Sequence, residues 1–159
     1  LSIGWFHGAT LIRDARNPKL KNPLKSWLAY PVAGSYLAPV FQIVFNEISA
    51  AEISSLATLE QLELLEEFRV GKEDLDHLNG ERFGKIDRDG RVLYRFRAKD
   101  YRIYFEVREG AVIVHRVLHK GTFSDFKFRS KMPLAEDEAL ANSKHFWKLI
   151  DEGRNARRL

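Results

Sequence analysis

Residues 93–107 read LYRFRAKDYRIYFEV, two alternating runs on either side of a Lys99-Asp100 turn. Side chains on a strand point to opposite faces in turn, so this pattern demands a hairpin with two unlike sides. Arg95 and Arg97 project from one side, with Tyr94 and Phe96 on the other. Past the turn, Arg102 and Tyr104 share one face, and Tyr101, Ile103, Phe105 and Val107 line the opposite one. The run AVIVHRVLHKG follows directly. Such a sheet buries aromatics on one face and shows cations on the other. Guanidinium groups stay charged and match phosphate oxygens two at a time, so the cationic face suits a polyanion.

The 159 residues allow one domain of ordinary size with an appended segment, and an apolar fraction of 45% is enough for a real core. There is no cysteine, which excludes disulfides, thiolate metal sites and cysteine nucleophiles. The net charge of +4 hides an asymmetry. Residues 41–80 hold nine acidic side chains against two basic, whereas residues 81–131 hold fourteen basic against seven acidic. A basic sheet beside an acidic helix reads as a nucleic-acid face with a solvated back. No apolar run is long enough for a transmembrane helix, and the first residues, LSIGWFHGATLI, lack the basic start of a secretory signal. The expected compartment is the cytoplasm.

Residues 1–40 hold four of the five prolines and no sustained period, and read as an N-terminal extension. Its cations Arg13, Arg16, Lys19, Lys21 and Lys25 are candidates to touch nucleic acid or a partner. FQIVFNE at 41–47 reads as a strand. Ser49 and Glu52 form a capping-box pattern, opening a helix that the apolar spacing carries to about Arg69. The pattern then predicts strands near 82–87, 91–97, 101–108 and 111–118, separated by Asp-Gly and Glu-Gly turn signals. Leu134 to Asp151 shows helical spacing, with Phe146 and Trp147 placed to dock that helix on the sheet. Strand, helix, antiparallel meander and C-terminal helix make an α+β plan.

The order of these pieces resembles the RelE/ParE toxin superfamily of toxin–antitoxin systems. FQIVFNE, the helix after it, YRFRAKDYRIYFEV at 94–107 and IVHRVLHKGTFSDF at 113–126 carry the resemblance. It implies a small antiparallel meander packed by an N-terminal helix, with a toxin domain at 41–131 and a C-terminal helix and tail at 132–159. For the RelE-like branch it implies a ribosome-dependent mRNA endonuclease that inhibits translation, without metal or nucleotide cofactor. A ribose 2′-hydroxyl would attack its own 3′-phosphate, which needs a base, an acid and cations. The implied partners are a cognate antitoxin, the ribosome and mRNA, with a homodimer left open and no membrane.

Carried over by position, Arg95 and Arg97 match the paired basic sites of the family's strand, Arg102 the turn arginine, and Lys120 the basic residue past the last strand. His119 lies where some relatives use a histidine. Phe126 falls where many active members have a tyrosine, and it joins Tyr104 as a candidate to stack on substrate. The catalytic expectation is thus Arg95, Arg97, Arg102, His119 and Lys120. Arginines in place of lysines, and Phe126 in place of tyrosine, remove proton donors and acceptors and leave His119 as the acid or base. The alternative is a non-catalytic module of the same fold that binds the ribosome, gyrase or a partner protein. Away from the cationic face, Arg116 is expected to pair with Glu106. His115, alternating with Ile113 and Val117, is expected in the core.

Overall fold

A computed structural model describes residues 40–122 and 133–159. The cations of the N-terminal extension and Phe126 lie outside the described residues. The elements run β1 (Gln42–Phe45), α1 (Glu47–Ser54), α2 (Thr58–Glu67), α3 (Lys72–Asp76), β2 (Phe83–Arg88), β3 (Arg91–Ala98), β4 (Tyr101–Arg108), β5 (Ala111–His119), α4 (Pro133–Ala141) and α5 (Lys144–Asn155).

Four strands form the expected meander, each joined to the next by two residues. Asp89-Gly90 and Glu109-Gly110 take positive φ at both positions (52° and 76°, 51° and 76°), the backbone that matches the twist of a two-residue hairpin. Lys99 takes φ 48° in the middle turn. The sheet is mixed rather than purely antiparallel. Its order is β1-β5-β4-β3-β2, with β1 running parallel to β5 from Gln42↔Ala111 to Phe45↔Val114. A parallel pair needs a long crossover, which here is everything from α1 to β4.

One irregularity sets which residues share a face. Tyr104 pairs with Arg116 but Phe105 pairs with Val114, so His115 is the extra residue of a β-bulge. The bulge brings Val112, Val114 and Val117 onto one face despite their uneven spacing. His115 is indeed buried, but the bulge separates it from the Val117 face that strict alternation would give it.

Helices cover both faces. One face packs Phe83, Phe96, Ile103, Phe105, Val112, Val114 and Val117 against Ile53, Leu64, Phe68 and Val70. Phe68 anchors this layer, with ring centroids 5.1 Å from Phe96 and 5.6 Å from Phe105. The other face packs Ile86, Leu93, Tyr104 and Leu118 against Leu140, Phe146, Trp147 and Ile150 of α4 and α5. The face expected to be open and cationic is therefore a second core. The C-terminal residues also return to the sheet: the backbone N–H of Leu159 donates to the carbonyl of Phe45 at 3.0 Å.

Three helix boundaries differ from expectation. The first helix begins at Glu47, because Asn46 rather than Ser49 is the N-cap; its side chain accepts from the Ser49 N–H at 2.7 Å. Asn46 Nδ2 also donates to the carbonyls of Val114, His115 and Gly153 at 3.1, 3.1 and 2.7 Å, tying the helix start to the bulge and to α5. That helix stops at Ser54 and a second one starts at Thr58. Near the C-terminus, the Ser143 hydroxyl accepts from the Phe146 N–H at 3.2 Å and starts α5 as a separate helix. Gly153 is required where α5 crosses β5, since a Cβ there would overlap the His115 carbonyl. Among the described residues, no helix is long and apolar enough to cross a membrane.

Candidate functional site

Arg95, Arg97 and Arg102 come together as the alternation requires. Arg95 pairs with Tyr104 across β3 and β4, and Arg97 pairs with Arg102. Three guanidinium groups on adjacent positions repel one another, so each needs an anion. Helix α4 supplies two.

Arg95 is fully buried, at 0% exposure. Its Nε donates to Asp137 Oδ1 at 2.6 Å and its Nη2 to Asp137 Oδ2 at 3.0 Å, a bidentate fork. Nη2 also donates to the Gly80 carbonyl at 2.8 Å. Glu136 is shared: Arg102 Nε donates to Oε1 at 3.0 Å and Arg97 Nη2 to Oε2 at 2.7 Å. Arg102 Nη1 reaches the carbonyls of Lys99 and Tyr101 at 3.1 and 3.0 Å. Arg97 is the least satisfied of the three. Its Nε is buried without a hydrogen-bond partner, and 27% of its side chain stays exposed.

Burial pushes the Asp137 carboxyl above the ordinary aspartate range, while the hydrogen bonds and charge of Arg95 pull the other way. Burial, then the charge of Arg102, lowers the Arg97 guanidinium. Gly84, opposite Arg95 on β2, completes the arrangement, because a Cβ there would overlap both Asp137 Oδ2 and the Arg95 guanidinium.

The remaining expected site residues lie elsewhere. Tyr104 is at 0% exposure, its ring 5.0 Å from that of Phe146, so it has no free face for a base to stack on. Burial holds its phenol far above the ordinary value. His119 is across the sheet from the arginines. It pairs with Tyr101, their rings 5.4 Å apart, while its neighbour Leu118 belongs to the α4–α5 side. The Gly121 N–H donates to His119 Nδ1 at 3.0 Å, which leaves the proton of a neutral ring on Nε2. Lys120 Nζ is 2.6 Å from Asp100. His119, Tyr101, Asp100, Glu60, Glu63 and Glu67 line a cavity of about 190 Å³ together with Lys99, which pairs with Glu63. That cavity is acidic and unsuited to phosphate.

Arg116 takes a different partner from the one expected. It binds Glu52 at 2.6 Å, and Glu52 also accepts from the Val117 N–H at 2.6 Å. Glu106 instead faces Arg108 at 2.5 Å, Arg154 at 3.2 Å and His115 at 3.6 Å. Glu136 and Asp137 are the residues that sequence reasoning missed. Their signal was present: an acidic stretch, AEDEA, with no cation within it, complementary to a strand with arginines at alternate positions.

Comparison with protein-family models, with curated proteins and with solved structures gave no match to this chain.

Proposed function

We propose that this protein is a toxin of the RelE/ParE type, a metal-independent mRNA endonuclease of the ribosome held in check by a cognate antitoxin. The observation that carries the reading is the convergence of Arg95, Arg97 and Arg102 on four carboxylate oxygens. Guanidiniums that fork around carboxylates fork equally well around phosphate oxygens. In this reading the three cations, once released from Glu136 and Asp137, hold the scissile phosphate and stabilise the charge that builds on phosphorus when the 2′-hydroxyl attacks. The order of strand, helices, meander and C-terminal helices supports it. The test is induction in cells together with incubation of purified protein with programmed ribosomes. Growth arrest and new mRNA ends are expected; normal growth with intact message would overturn the proposal.

A second reading has its own observation. His119, the residue expected to move protons, is on the opposite face from the arginines. A module of the same kind that binds without cutting fits that separation. It predicts ribosome or partner binding with intact message.

A further inference from the structure

Helix α4 occupies the place an RNA phosphate would need. Arg95 spends its fork on Asp137, and Glu136 spans Arg97 and Arg102 with one oxygen each. Asp137 and Glu136 are buried at 4% and 7% exposure, so nothing as large as a phosphodiester fits between them and the guanidiniums. The space is shaped for these carboxylates, since Gly84 lacks the side chain that would exclude Asp137.

We infer that α4 is a built-in acidic occupant that keeps the arginine face closed, and that RNA binds there by displacing Glu136 and Asp137. The inference rests on the functional reading above and adds its regulation. Three cations face two anions, and the surplus resides on Arg97, which has a buried Nε without a partner and is the most exposed of the three. Arg97 is therefore where an incoming phosphate makes first contact. The carboxylates then exchange for phosphate oxygens in an anion-for-anion swap, which avoids leaving Arg95 buried and unpaired.

The experiment uses the full chain and the double variant Glu136→Gln/Asp137→Asn, which keeps side-chain shape and removes both charges. Affinity for a fluorescent single-stranded RNA oligonucleotide and cleavage on programmed ribosomes are measured for each. The double variant should bind RNA at least about ten-fold more tightly at the same salt concentration and cut faster. Equal RNA affinity of the two proteins, with cleavage by both, would overturn the inference and leave the functional reading standing. Tighter binding by the variant with no cleavage by either would keep α4 as the occupant and reject the endonuclease. Loss of cleavage at unchanged affinity would make Glu136 or Asp137 a proton carrier and also overturn it. Should the variant fail to fold, hydrogen exchange on the unaltered chain decides. Added RNA should speed exchange in α4 and slow it in β3 and β4, and unchanged exchange in α4 would refute displacement.

Discussion

Asp137 holds Arg95 with both carboxylate oxygens, at 2.6 and 3.0 Å, in a place where the arginine has no solvent contact at all. A charge so placed keeps the Gly80 carbonyl but loses its carboxylate partner once the acid is removed. Asp137→Ala should therefore cost about 3–5 kcal/mol, the usual penalty for leaving one member of a buried pair alone. Replacing both residues by apolar ones of similar volume should cost much less. Urea unfolding of Asp137→Ala and of the apolar double replacement gives the comparison directly.

Gly84→Ala tests the same pair from the other side. The added methyl overlaps Asp137 and the Arg95 guanidinium, and neither has room to retreat. A loss of about 1–3 kcal/mol is expected from overpacking. Exchange of α4 amides should rise more than that of β5, because the damage lies between α4 and β2.

The Asn46 side chain ties the start of α1 to β5 and α5 through three hydrogen bonds and caps α1 with a fourth. Asn46→Ala removes the cap and leaves carbonyl groups unmatched. A loss of about 1–3 kcal/mol should appear in thermal or urea unfolding. Asn46→Asp should not rescue it, because a carboxylate accepts and the three carbonyls need a donor.

Burial pushes the Glu106 carboxyl up, but His115, Arg154 and Arg108 outweigh it and hold the group down at about 2 against an ordinary 4.5. A depressed acid favours the fold wherever the unfolded chain is ionised and the folded one stays so. Its contribution is complete above about pH 4.5 and fades as pH falls toward 2. The stability difference between the unaltered protein and Glu106→Gln should shrink over that acid range.

The meander was legible because alternation and two-residue turns are local signals. Arg95, Arg97 and Arg102 were placed correctly on one face for that reason. What covers them showed only as the acidic run AEDEA, some forty positions along the chain, and acids on a helix read as solvated. The position of His119 depended on the bulge at His115, and nothing in VIVHRV distinguishes a bulged strand from a regular one. The break between α4 and α5 fell at Ser143, where the apolar helical spacing runs on and only the capping hydroxyl marks a new start.

An arginine face that handles an RNA phosphate leaves its mark on the chemistry of the cut ends. Messages on programmed ribosomes should end in a cyclic phosphate after treatment with the protein, and a single 2′-deoxy substitution at the cut position should abolish cleavage there. Arg97→Ala/Arg102→Ala should leave the message intact. Cleavage that survives the 2′-deoxy substitution, or that persists in the double arginine variant, would contradict the account.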